Sequence, residues 1–454
     1  MLVNIIIAGC GKVGSTLAKT LNEEGHSITL IDQRSEILEQ VCNELDVMGI
    51  VGNAGSYTIQ EEAGIENADL FIAVTNYDEL NLLCCVMAKK GRILNTIARV
   101  RNPIYKKEAD FIKDAIGLSM IINPEYTAAM EIARLLRFPS ASKIDTFAKG
   151  KAELLQYVIH KDSILVDLQI AQLSKKITND FLVCAIERGD EVIIPDGNTI
   201  LCENDKIYIV GTPANTTIFF KKIGAQHKPV KHTMIVGGST ITYYLSKQLL
   251  EMGIETTIIE KDRDRCEELS SLLPKANVVL ADATDQNLLL EEGLNACEAF
   301  VSLTNMDEEN IMLSLYAQSI TDHIKLITKV KRSTFDNIMN SLPLGSIISP
   351  KLLTSYTIIQ YVRSLQNSMG SNVETMYRIV NDKAEALEFK VRENCKAINI
   401  PLVDLPTKDH LLICCINRNG KIIIPRGYDM LHPNDTVIVV TSNRGLNDIE
   451  DILK

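Results

Sequence analysis

Gly9-Cys10-Gly11-Lys12-Val13-Gly14 spaces three glycines as they must be spaced to bring a bare backbone against a pyrophosphate. The first permits a tight turn, the second leaves room for phosphate, and the third lets a helix pack closely on a strand. The helix that follows offers free N–H groups to an anion. Asp32 stands at the end of the next apolar run, Ile28 to Ile31. A carboxylate there accepts hydrogen bonds from both adenosine ribose hydroxyls and repels a 2′-phosphate, so NAD(H) is expected over NADP(H). Arg34 nearby is the one cation that runs against that preference. Further along, Asn53-Ala54 follows a third strand, within reach of an adenine, and Thr75-Asn76 follows a fourth. Arg99 and Arg101 flank the end of a fifth. They read either as surface charge or as phosphate contacts, including contacts to a nucleotide in an adjacent subunit.

These residues need a sheet whose strands all end at one edge. The runs Val3–Ala8, Ser27–Ile31, Asp46–Val51, Leu70–Thr75 and Thr96–Val100 are short and β-branched, with helical patterns between them. That alternation predicts a doubly wound parallel sheet. Asn123-Pro124-Glu125 then marks a helix start, with an N-cap, a first-turn proline and an early carboxylate. The helix is expected either to pack on its own domain or to leave it and pair with a neighbour. Ser349-Pro350 repeats the device.

The whole plan occurs twice. IERGDEVIIPDGNTILCENDKIYIVG near residue 190 aligns with INRNGKIIIPRGYDMLHPNDTVIVVT near residue 420, and the strand leading to Gly9 aligns with the one leading to Gly237. The order is therefore Rossmann lobe, small α+β lobe, Rossmann lobe, small α+β lobe, with boundaries at 1–138, 139–228, 229–364 and 365–454. In the second copy the glycine loop reads Gly237-Gly238-Ser239-Thr240-Ile241-Thr242. Ser239 puts a side chain where phosphate should meet bare backbone, and Thr242 puts a branched one where helix and strand should touch. Glu260, Asp282-Ala283 and Thr304-Asn305 survive, and read either as inherited structure kept by packing or as a site able to hold an adenosine, the former being favoured. One tight NAD(H) site per chain is expected, in the first lobe, with the second empty or weakly occupied by another nucleotide.

The formal net charge of -11 argues against a general nucleic-acid binder. No apolar run is long enough to span a bilayer, and the N-terminal run is too short for a signal core, so a cytoplasmic protein is expected. The eleven cysteines include no C-x-x-C and the histidines no metal-ligand spacing, so buried thiols and no bound metal are expected. No histidine falls at a strand end beside the first glycine loop's site, and the small lobes offer no obvious acid/base constellation. A soluble NAD-dependent oxidoreductase and a DNA-binding redox sensor are the alternatives weighed, and both fit less well.

With these residues assembled, the chain resembles the TrkA family of NAD-binding regulators of Trk potassium uptake. Each pair of lobes resembles an RCK (regulator of K⁺ conductance) module. The resemblance rests on the tandem order, the glycine loop with Asp32, the I-A-R-V-R-N-P stretch from Ile97 and the I-I-P-x-G turns. It implies no catalysis. It implies a cytoplasmic ring, usually of four chains, docked under a membrane potassium transporter subunit of the TrkH/TrkG type, binding NAD(H) and, in competition, ATP or ADP. Family members often carry Asp where Asn53 stands.

Overall fold

The computed structural model describes residues 2–91, 93, 95–139, 141, 143–148, 151–177, 181–224, 230–321, 324–331, 342–368, 373–380 and 383–454. In the first lobe the expected apolar runs form strands β1 (Asn4–Ala8), β2 (Ser27–Asp32), β3 (Met48–Val51), β4 (Leu70–Ala73) and β5 (Asn95–Arg99). A sixth, β6 (Met120–Ile122), was not among them. The order is β3-β2-β1-β4-β5-β6, parallel throughout. Strand order reverses between β1 and β4, and a doubly wound sheet opens its binding crevice there. The helix Lys12–Glu23 buries Val13, Leu17, Ala18 and Leu21, one face at helical spacing.

The following lobe is an antiparallel sheet of β7 (Lys143–Phe147), β8 (Ala152–Val158), β9 (Phe181–Arg188), β10 (Glu191–Ile193) and β11 (Lys206–Gly211), ordered β10-β9-β11-β8-β7. The second Rossmann lobe repeats the first with β12 (His232–Val236), β13 (Glu255–Glu260), β14 (Asn277–Leu280), β15 (Ala299–Ser302), β16 (Lys325–Lys329) and β17 (Ser346–Ile348), ordered β14-β13-β12-β15-β16-β17. The last lobe repeats the antiparallel sheet with β18 (Val373–Ile379), β19 (Ala384–Lys390), β20 (Leu411–Arg418), β21 (Lys421–Ile423) and β22 (Thr436–Thr441), ordered β18-β19-β22-β20-β21. The repeated Asp205 and Asp435 are turn anchors. Each is almost fully buried and takes two guanidinium bonds of 2.8 to 2.9 Å, from Arg188 and Arg418.

The lobes associate like with like. One compact unit gathers both doubly wound lobes and the other gathers both antiparallel sheets. In the first unit the helix Pro124–Arg137 starts at Asn123, whose Oδ1 accepts the Tyr126 N–H at 2.8 Å. This helix reaches the second Rossmann lobe: Asn123 Nδ2 donates to the Tyr244 hydroxyl at 3.3 Å, and the Tyr126 and Tyr244 rings meet edge to face at 5.4 Å. In the second unit a shared core joins Phe147, Leu154 and Cys184 to Ile379, Cys414 and Val440. Among the described residues no helix is long and apolar enough to cross a membrane.

Candidate nucleotide-binding site

The three glycines of the first loop meet three different surroundings. Gly9 has φ +101°, and a Cβ there would lie 2.9 Å from the Thr75 nitrogen. A Cβ on Gly14 would lie 1.9 Å from the Gly9 carbonyl oxygen. A Cβ on Gly11 would meet nothing within 4 Å. Two glycines are thus required by close packing, and the third borders open space. The helix Lys12–Glu23 begins at Gly11 with no side-chain cap, leaving its first N–H groups for an anion.

Asp32 ends β2 facing this loop. Its Oδ2 accepts the Cys10 N–H at 2.7 Å, and its carboxylate takes Arg34 Nε at 3.0 Å and Nη2 at 3.1 Å. Burial pushes the carboxyl up, but these hydrogen bonds outweigh it and hold Asp32 below the usual carboxylate range. Burial and then the Asp32 charge push the Cys10 thiol up to about 11, so it is neutral at physiological pH.

A crevice of 180 Å³ lies over the switch point. Gly9, Gly11, Asp32, Arg34, Asn53, Ala54, Thr75 and Asn76 line it. Cys10, Lys12, Val13 and Gly14 form the turn and helix start and do not line it, with Val13 and Gly14 buried. The two arginines lie elsewhere. Arg99, on a strand between two others, is only 9% exposed; its Nη2 donates to the Thr75 carbonyl, and its Nε has no partner among the described residues. It is not a free surface charge. Arg101 is ion-paired with Glu125, its Nη2 2.6 Å from Oε1.

The second lobe keeps a larger crevice, of 480 Å³. Gly237, Gly238 and Glu260 line it, as do Asp282, Ala283, Thr304 and Asn305. The Gly238 N–H donates to Glu260, as the Cys10 N–H does to Asp32. Ser239 caps the helix Thr240–Glu251 by accepting the Thr242 N–H at 3.4 Å, so one N–H is already taken. Thr242 differs from the sequence expectation of a steric obstacle. It is fully buried, and its hydroxyl donates to the Gly237 carbonyl. The close approach that a glycine permits in the first lobe is replaced by a hydrogen bond in the second, and the crevice stays open.

The TrkA-N domain family matches residues 5–124 and 233–350, and the TrkA-C domain family matches 154–224 and 386–454. The chain belongs to the TrkA family. A Trk system potassium uptake protein TrkA homolog of Archaeoglobus fulgidus is 30% identical over 100% of both chains. The TrkA protein of Vibrio alginolyticus is 29% identical over 100% of this chain and 99% of its own. Among solved structures, the GsuK RCK domain superposes with TM-score 0.63 at 14% identity, covering 97% of this chain and 92% of that one. The GsuK channel bound to NAD gives 0.62 at 14% identity, covering 97% and 77%. The fold is that of two tandem RCK modules.

The TrkA tandem also exposes site residues that sequence reasoning missed. Asn81, fully buried, accepts the Thr75 N–H and hydroxyl at 2.7 Å each and donates to the Thr75 and Arg99 carbonyls at 3.2 and 2.9 Å. Asp78 accepts the Arg101 and Asn102 N–H groups at 2.8 Å each. Together they fix the loops after β4 and β5. Asn310 and Asp307 do the same in the second lobe. The signal was present: TNYDELN from Thr75 and TNMDEEN from Thr304 repeat both residues.

Proposed function

We propose that this chain is a nucleotide-binding regulatory subunit, not an enzyme, that gates a Trk-type membrane potassium transporter in response to NAD(H) and ATP or ADP. The observation that carries the reading is the open space at Gly11 between two glycines that packing requires, with the Asp32 carboxylate at the crevice edge. Pyrophosphate lies on the Gly11 backbone, and the ribose hydroxyls bind Asp32. The relatives' names attach this architecture to potassium uptake. With no spanning helix among the described residues, the chain acts on flux through a membrane partner of the TrkH/TrkG type, at the cytoplasmic face, as a tetrameric ring. A nucleotide can shift such a ring only by binding its states unequally.

The test has two arms. Calorimetry on the full chain should show one tight NADH site per chain that ATP and ADP compete for, with the second crevice empty or weakly filled. Potassium uptake at low external potassium should fall in a deletion strain and recover with this chain. Two equivalent NADH sites would refute the asymmetry, and normal uptake in the deletion strain would refute the potassium assignment.

A further inference from the structure

The first crevice borders a second cavity. At 180 Å³ it is smaller than the ~300 Å³ at which pockets begin to enclose an organic ligand. Asn76 and Tyr77 line it and also line a 650 Å³ cavity between the two doubly wound lobes of the same compact unit. The first lobe lends that cavity Arg101, Asn102 and Glu125, which follow β5 and β6; the second lobe lends Thr240, Tyr243 and Arg265. With adenosine at β2 and pyrophosphate at Gly11, the rest of a dinucleotide must run along the strand ends towards β5 and β6. That direction leads into the cavity.

We propose that a dinucleotide seated on the first lobe is completed by the second, its nicotinamide ribonucleotide half lying in the cavity with Arg265 as the cross-lobe cation. The inference rests on the nucleotide reading above and adds to it a ligand half and a contributing residue. Arg265 Nε donates to the Gly238 carbonyl and Nη1 to Glu268 at 2.5 Å, which leaves Nη2 for a ligand. Glu125 supplies the complement. Arg101 Nε and Nη2 converge on its Oε1, and its buried Oε2 has no partner among the described residues. That oxygen accepts from a ribose hydroxyl or a carboxamide N–H, which a phosphate cannot offer. Asp78, Glu79, Glu125 and Glu268 also outnumber the two guanidiniums around the cavity, which disfavours a triphosphate tail. Arg265 lines the second crevice as well, so occupancy of either site alters a contact of the other.

Calorimetry on the full chain, with NADH and AMP as probes, tests this in Arg265→Ala and Tyr243→Ala, each with a native melting temperature. NADH should weaken by at least about tenfold in Arg265→Ala, the loss of one charge-assisted hydrogen bond, and measurably in Tyr243→Ala. AMP, held by the first lobe alone, should be unchanged. Tyr243 lines the shared cavity and not the second crevice, so an effect of Arg265→Ala alone would place its role in the second crevice and overturn the proposal. Equal weakening of AMP and NADH, or no change in either, would also overturn it. Asp32→Ala separates the two levels: loss of both ligands there upholds the nucleotide reading whatever the cross-lobe variants show, and retention of both refutes that reading itself.

Discussion

Replacing Gly11 and Gly14 separately by alanine should divide binding from folding. Gly11 has extended backbone, φ -73° and ψ -172°, which alanine adopts freely, and its Cβ would meet nothing within 4 Å. Alanine is the poorer N-cap by up to about 1 kcal/mol. The loss of unfolded-chain freedom returns about 0.4–1 kcal/mol. Gly11→Ala should therefore melt within a degree or two of the parent. Its methyl group, however, projects to where pyrophosphate must approach the helix N–H groups. Losing one such charge-assisted bond, at roughly 1.5–3 kcal/mol, weakens NADH by about tenfold to 150-fold. Gly14→Ala does the reverse. Its Cβ would lie 1.9 Å from the Gly9 oxygen, so helix and strand must separate by more than about an ångström, at roughly 1–3 kcal/mol or more. Scanning fluorimetry gives the stability and calorimetry the affinity. A Gly11→Ala protein that melts normally and binds NADH as tightly as the parent would refute the placement of the phosphates.

Asp32→Ala should weaken NADH at least about tenfold by calorimetry, whereas Arg34→Ala, which removes a half-exposed competitor for the same carboxylate, should leave affinity unchanged or raise it up to about fivefold. Because Asp32 is held below its usual value, its contribution is complete above about pH 4 and is lost as pH falls through the lower folded value; NADH affinity should be flat from pH 5 to 8. The Cys10 thiol, pushed up to about 11 and buried, should resist iodoacetamide at pH 8 in native protein, followed by mass spectrometry. Thr242→Val should cost about 1–3 kcal/mol by leaving the Gly237 carbonyl without its hydroxyl donor, seen as a lower melting temperature with unchanged NADH affinity in the first lobe.

The sheets of the Rossmann lobes were legible because parallel strands buried on both faces write themselves as continuous apolar runs, as in Ile5-Ile6-Ile7-Ala8. Strand β6 was not, being three residues long. The crevice walls at Gly9, Gly11 and Asp32 were legible because backbone geometry restricts which residue can stand there. Arg99 misled because charge is visible in a sequence and burial is not. Thr242 misled because a branched side chain was counted by volume, without the hydrogen bond it makes. The association of like lobes was only half legible: the helix after Asn123-Pro124 could be read as pairing with a neighbour, but not with which one. It depends on surfaces such as Tyr126 against Tyr244, far apart in the chain, and neither residue stands out alone.

That pairing has an evolutionary corollary. Where two identical chains meet about a two-fold axis, every substitution is imposed on both partners at once. Here the two partners are encoded separately, so the face that Tyr244 presents to Tyr126 can persist while the loop leading to it drifts from Gly-x-Gly-x-x-Gly to Gly237-Gly238-Ser239 and Thr242. Ser239 caps the second lobe's own helix and Thr242 bonds the Gly237 carbonyl, while the first lobe keeps its glycines. Tandem fusion thus lets the two loops differ, Gly11 and Gly14 against Ser239 and Thr242, while the faces that join the lobes stay matched.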